Sequence, residues 1–198
     1  MNTIVEVQNY NNVEINNIVV NGTLSNEIDL EEVSTISKED WSINFNKGVP
    51  ITVEFNYKDL PMVSVYSSGS YIIRGVNKEL LKESTEKFIS LMYDLGIIDG
   101  LEDVNFDINN IVGTITLDNK LDLDSISNLG DSSKYQYEPE SFPAVTYRGS
   151  DFYTCNIFHS GKIILQGCNS EEQIVEASKE IQNIVSDYHS NPSSTNLL

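Results

Sequence analysis

Histidine and cysteine are nearly missing from this chain: His159, His189, Cys155 and Cys168 are the whole supply. A structural zinc site needs four well-spaced nitrogen or sulfur ligands, and no CxxC spacing is present, so no metal or other cofactor is expected. The same scarcity excludes a disulfide framework and fits two reduced, buried thiols in a cytosolic protein. Long apolar runs are also lacking. Even Asn109–Leu117 is broken by Gly and Thr, so no membrane span is expected. Met1–Asn12 has neither a basic segment nor an apolar run, so no signal peptide is read there. The last shortage is of positive charge, with 12 Lys and Arg against 30 Asp and Glu and a net charge of −18. So acidic a chain is repelled by phosphate before contact forms, which counts against nucleic acid as a partner. The plainer meaning of the charge is a solvated, salt-adapted surface.

What the chain does have is a repeat. Val13-Glu-Ile-Asn-Asn-Ile-Val19 returns as Phe106-Asp-Ile-Asn-Asn-Ile-Val112. Thr23-Leu24 is answered by Thr116-Leu117, and Ile28-Asp29-Leu30 by Leu121-Asp122-Leu123. Val65-Tyr66-Ser67-Ser68-Gly69 matches Ile157-Phe158-His159-Ser160-Gly161, and Gly75 matches Gly167. The offset stays almost constant, as a tandem duplication requires. An apolar content of 39% over 198 residues allows one domain or two small ones, each with a core.

Each half reads alike. A β-rich stretch (Val13–Thr23; Phe106–Leu117) precedes a short acidic helix with apolar residues at helical spacing (Leu30, Val33, Ile36; Leu123, Ile126, Leu129). Alternating strands follow at Ile51–Phe55, Met62–Tyr66 and Tyr71–Arg74, then at Ala144–Tyr147, Tyr153–Phe158 and Ile163–Gln166. Ser68-Gly69 and Ser160-Gly161 read as hairpin turns. A long amphipathic helix closes each half, stopped at Gly96 in the first and opened by a capping-box-like Ser170-Glu-Glu-Gln173 in the second. The expected fold class is α+β: a tandem pseudo-twofold repeat forming a curved antiparallel β-saddle with helices on its convex face. The divisions are a flexible 1–12, a first repeat at 13–98, a second at 99–189 and a flexible tail at 190–198. An open sheet face is costly unless it binds something, so function is expected there.

The second half resembles the TATA-binding protein family. Phe106-Asp-Ile-Asn-Asn-Ile-Val-Gly113 is similar to that family's first strand. Tyr137-Glu-Pro-Glu-Ser-Phe-Pro143 with Tyr147-Arg148 resembles its stirrup loop and following strand, and Ile157–Gly167 resembles its last hairpin. The resemblance implies a general transcription initiation factor with no enzymatic role, which binds and bends TATA-box promoter DNA through the minor groove. Insertion of apolar wedges between base steps is the family's own established mode and is taken over with the resemblance. Matching positions imply central amides at Asn17 and Asn110, with Val19 and Val112 beside them. Phe142 and Phe158 match the intercalating pair, while Val49 and Tyr66 stand at the corresponding places of the first half. Ile72 and Ile164 match apolar groove-floor residues, and Arg148 and Lys162 match phosphate-contacting cations. Glu138 and Glu140, on the stirrup, are the implied contacts with transcription factor B, and RNA polymerase completes the pre-initiation complex. A homodimer through the saddle is the implied free state. An archaeal or viral origin, and a cytoplasmic, nucleoid-associated location, are expected because no long extension precedes the core.

The first half departs from the pattern. Val49 cannot wedge like a phenyl ring, and Tyr66 carries a hydroxyl that a base stack would bury. Ser70 takes the turn place of Lys162. Phe55 stands near where the other half has Arg148, and Arg74 and Gln166 occupy places where the resemblance implies a small threonine. Strand aromatics are by default core residues, and Lys162 could simply solvate its turn. Asn in a strand is disfavoured, so equivalent asparagines at 17 and 110 call for a purpose. A second expectation therefore stands beside the first: a divergent paralogue that acts through protein partners, with weak or altered DNA binding.

Overall fold

A computed structural model describes residues 9–10, 12–24, 27–100 and 106–190. The expectations for flexible ends fall largely outside these residues. In chain order the strands are β1 (Asn9–Tyr10), β2 (Val13–Thr23), β3 (Trp41–Asn46), β4 (Thr52–Tyr57), β5 (Val63–Val65), β6 (Ser70–Gly75), β7 (Asp107–Thr116), β8 (Tyr135–Gln136), β9 (Ala144–Arg148), β10 (Thr154–Phe158) and β11 (Lys162–Cys168). The helices are α1 (Leu30–Ser34), α2 (Lys78–Asp94), α3 (Leu123–Ser127) and α4 (Glu171–Ser190). The fold is α+β with antiparallel strands. None of the described helices is long and apolar enough to cross a membrane.

The described residues divide into two compact units: 17–24, 27–100 and 106–109 in the first, and 9–10, 12–16 and 110–190 in the second. The boundary falls inside β2, where burial changes phase: Val13 and Ile15 are buried, then Ile18 and Val20. The shift falls at the Asn16-Asn17 pair.

In the first unit the strand order is β3-β4-β5-β6-β2. Val53, Phe55, Val63, Val65, Tyr71 and Ile73 alternate inward and meet Leu81, Phe88 and Met92 of α2. The Phe88 ring lies 5.4 Å from Phe55 and 5.3 Å from Tyr71. Burying each such ring contributes about 1.5–3 kcal/mol. Asn77 caps α2 by accepting from the Glu79 and Leu80 amides. The helix ends with Ile97 donating to the Met92 carbonyl and Gly96 to that of Tyr93, a Schellman stop with Gly96 at φ 69°.

In the second unit the order is β7-β11-β10-β9-β8. Ile111, Val145, Cys155, Ile157, Ile163 and Leu165 pack with Ile174, Ala177 and Ile181 of α4. Glu180, also on α4, receives hydroxyl hydrogen bonds from Tyr147 and Tyr153 and an ion pair from Lys134 at 3.6 Å. Burial pushes its carboxyl up, but the two hydroxyls and the ammonium outweigh that and hold it below the usual carboxylate range. Burial pushes both thiols up, Cys168 to about 11, so neither carries the thiolate that reactivity requires.

Candidate nucleic-acid interface

Strand alternation gives each unit a second face, directed away from its helices. In the first unit one row across that face runs Asn44, Glu54, Ser64, Ile72 and Asn21. The next pairs Val19 with Arg74, and Thr23 sits opposite Ser70. In the second unit the central row runs Gln136, Thr146, Asn156, Ile164 and Thr114. Flanking it, Arg148 and Gln166 both pair with Thr154, and Lys162 pairs with Thr116. Ile72 and Ile164, half-buried, hold equivalent places in the two rows, as a groove floor would need.

The net charge is not spread over these faces. Asn110–Thr116 and strands β9, β10 and β11 contain no Asp or Glu, and they carry the exposed cations Arg148 and Lys162. Across Asn17–Thr23, β3, β4, β5 and β6 the one acidic residue is Glu54. Its Oε1 accepts from the Asn46 amide at 3.3 Å. The helices and the segments between elements carry most of the rest, with Glu31 and Glu32 on α1, three glutamates on α2 and four on α4. The surface that would repel phosphate is therefore largely kept off the sheet, and β9, β10 and β11 carry none of it.

Asn110 is held by a defect in the ladder. Leu165 pairs with Gly113 but Cys168 with Ile111, so β11 bulges by one residue. The bulge turns the Gly167 amide out of the ladder, and it donates to Asn110 Oδ1 at 2.8 Å. A backbone N–H can only donate, which fixes the side chain's oxygen and leaves its NH₂ group to donate elsewhere. Val112, half-buried, lies two residues on along the same face. Asn110, Arg148, Gln166 and Gly167 line an open cleft of about 600 Å³ with the loop 149–154.

The two candidate wedge residues of the second unit lie together. Phe142 and Phe158 stack edge to face with centroids 6.1 Å apart. Phe142 keeps 41% of its surface exposed, in a turn closed by the Ser141 and Phe142 amides donating to the Glu138 carbonyl. Glu138 and Glu140 are exposed on that loop. In the first unit Tyr66 is half-buried just beyond β5, and Val49 is fully exposed at the β3–β4 turn with Ile51 at 53%. Asn17, half-buried, opens the first unit's segment of β2.

One placement is corrected. Phe55 does not stand on the open face: it is 1% exposed and packs on Phe88, so it belongs to the core. Pairing of Phe55 with Val63 puts Asn56 at the place of Arg148, so the first unit offers an amide there, not a cation. Asn156 is an open-face residue that sequence reasoning does not single out. It lies two residues before Phe158 on the same face, and an asparagine inside an alternating strand is the signal that could have found it.

The comparisons with known proteins agree with this geometry. The family model described as "Transcription factor TFIID (or TATA-binding protein, TBP)" matches residues 105–188. The chain is 32% identical over 179 residues to "TATA-box-binding protein C" of Halobacterium salinarum, covering 87% of this chain and 97% of that one. It is 31% identical over 171 residues to the TATA-box-binding protein of Methanocaldococcus jannaschii, covering 85% and 91%. The solved structure "Methanococcus jannaschii TBP" superposes with a TM-score of 0.65 at 29% identity, covering 88% of this chain and 98% of that one. Sequence, strand order and the solved relative converge: this chain belongs to the TATA-binding protein family.

Proposed function

We propose that this protein binds TATA-type promoter DNA in the minor groove with its open sheet faces, bends it, and recruits transcription factor B and RNA polymerase. The family consists of DNA-binding transcription factors and not enzymes. The observation that carries the reading is the second unit's open face, where the Phe142–Phe158 pair, the Asn110 amide, Arg148 and Lys162 stand with no carboxylate in Asn110–Thr116, β9, β10 or β11. The minor groove at A·T pairs offers only acceptors, which suits amides fixed as donors. Wedging is cheapest at flexible pyrimidine–purine steps, which adds selection by shape. Such a factor works where promoters are, in the cytoplasm at the nucleoid.

The test is duplex binding over a salt series. With Arg74, Arg148 and Lys162 as the cations on these faces, affinity should fall only roughly 10- to 50-fold between 50 and 200 mM salt. A loss of a thousandfold or more would mean that a many-contact basic surface, and not this one, binds the DNA.

For the partner, Glu138 and Glu140 are presented on a loop restricted by Pro139, between them, and by Pro143, so little ordering cost opposes docking. Their charge suits a basic surface. Glu138→Arg with Glu140→Arg should weaken binding of transcription factor B by at least tenfold while leaving DNA bending within twofold. Wild-type partner affinity in the double variant would place the docking site elsewhere. The alternative, a paralogue acting mainly through partners, is favoured by one observation, Glu54 within the first unit's open face. Retention of partner binding with no duplex bending at any salt would select it. A homodimer through the open faces in the absence of DNA completes the proposal.

A further inference from the structure

We infer that Glu54 makes the first unit select guanine, its carboxylate accepting from the 2-amino group that donor and apolar readers of A·T pairs reject. The inference deepens the DNA-binding reading above and rests on it. Glu54 lies half-buried in the central row of the first unit's open face, between Asn44 on β3 and Ser64 on β5. It is the one carboxylate in Asn17–Thr23, β3, β4, β5 and β6. The corresponding place in the second unit's row holds the uncharged Thr146.

The carboxylate is held on that face by donors whose direction is fixed. The Gly48 backbone amide donates to Asn46 Oδ1 at 2.9 Å, and a backbone N–H can only donate. The Asn46 NH₂ group is therefore the end that reaches Glu54, donating to Oε1 at 3.3 Å. Among the described residues no lysine or arginine pairs with Glu54, so Oε2 is left to accept from outside. Docking on DNA takes this charge out of water, which is costly unless a donor meets it. The floor of the minor groove supplies one kind of donor, the guanine 2-amino group, whereas A·T pairs offer adenine N3 and thymine O2, both acceptors. A G·C pair against Glu54 thus relieves a cost that an A·T pair leaves in place. An A·T run carrying one such pair reads differently in its two directions, so Glu54 also sets which way round the protein binds.

The test uses the full chain and separates the amino group from the base pair that bears it. Each position of an A·T duplex is replaced in turn by G·C, by inosine·C, which lacks the amino group, or by 2,6-diaminopurine·T, which adds it to an A·T pair. At one position the wild type should bind G·C and 2,6-diaminopurine·T about 5- to 10-fold more tightly than A·T and inosine·C, the lower end of the range for one changed pair. Glu54→Leu, similar in size but with no acceptor, should abolish or reverse that preference, while the all-A·T duplex is bound more tightly than by the wild type. Thermal melting shows whether the variant is folded. Glu54→Gln, which keeps the shape and exchanges one acceptor for a donor, should lose the preference too and serves where leucine unfolds the protein. If the wild type bends A·T duplexes but favours no amino-bearing pair, or if the preference survives in the folded variants, Glu54 does not select guanine. The inference is then overturned and the DNA-binding reading stands. If no duplex of any composition is bent, that reading fails and takes this one with it.

Discussion

Replacing Phe158 by alanine is expected to weaken duplex binding by about 5- to 150-fold, the range of one lost aromatic–base stack. The bend angle should fall with it. Tyr66→Ala, at the matching place in the first unit, should cost less than about 5-fold on the same scale. The asymmetry has three physical sources. Phe158 is supported edge to face by Phe142, whereas the corresponding loop of the first unit offers the exposed aliphatics Val49 and Ile51. An aliphatic side chain fills a gap between bases but has no π-face to stack. A tyrosine that enters a stack must also desolvate its hydroxyl or find it a partner. Finally, Glu54 lies in the first unit's central row, two strands out from Ile72, whereas the equivalent place in the second unit is Thr146. A carboxylate there faces acceptors and phosphates with nothing to donate. Fluorescence-detected bending of a labelled duplex by both variants decides the matter. An equal or larger loss from Tyr66→Ala would show that the first unit carries as much of the binding as the second.

The division between what the sequence reveals and what it conceals follows the range of the interactions involved. The duplication, the two Ser-Gly hairpins, the long closing helices and most strands rest on local chemistry: alternation, turn residues and caps. They are legible because no distant contact has to be known to read them. Trp41–Asn46 escapes notice although Trp41, Ile43 and Phe45 alternate, because as an edge strand its inward residues are only half-buried and its signal is diluted by asparagine and serine. Tyr135–Gln136 is too short to show any period. The phase change at Asn16-Asn17 and the bulge at Gly167 are long-range events. Phe55 shows the consequence for the site. Counting from the wedge places it opposite Arg148, but counting from the Ser-Gly hairpin places Asn56 there, and ladder pairing, not distance along the chain, decides which side chain faces out. Family likeness points to Asn110, Phe142 and Phe158 as candidates. It does not give the direction of the Asn110 amide, which depends on a backbone N–H 57 residues away.

The largest expected effect on stability comes from a residue that touches no ligand. Gly161→Ala should destabilise the protein by about 3 kcal/mol and lower its melting temperature by roughly 6–12 °C. Gly161 turns the β10–β11 hairpin at φ 87°, where an L side chain costs about 1–2 kcal/mol. A Cβ there would also lie 2.5 Å from the Asn119 carbonyl oxygen and 2.8 Å from that of Leu117. Both obstacles are backbone, so no side-chain rotation relieves them. Nor is the turn free to move away: Leu117 donates to the Gly161 carbonyl at 3.0 Å and Leu121 to that of His159 at 2.9 Å, while His159 Nδ1 lies 2.7 Å from the Leu121 carbonyl oxygen. Gly130 separates the two costs. It has φ 61° and nothing within 4 Å of the place a Cβ would take, so Gly130→Ala should show the conformational cost alone, about 1 kcal/mol. The consequence reaches function because the same turn carries Phe158 on one side and Lys162 on the other. Strain that opens it moves the proposed wedge and the proposed phosphate contact together, so Gly161→Ala should lose bending at temperatures where the protein is still folded, and Gly130→Ala should not. Calorimetry of both variants beside the bending assay measures each step. Melting of Gly161→Ala within about 2 °C of Gly130→Ala would mean that the segment 117–121 yields, and that the hairpin is not clamped.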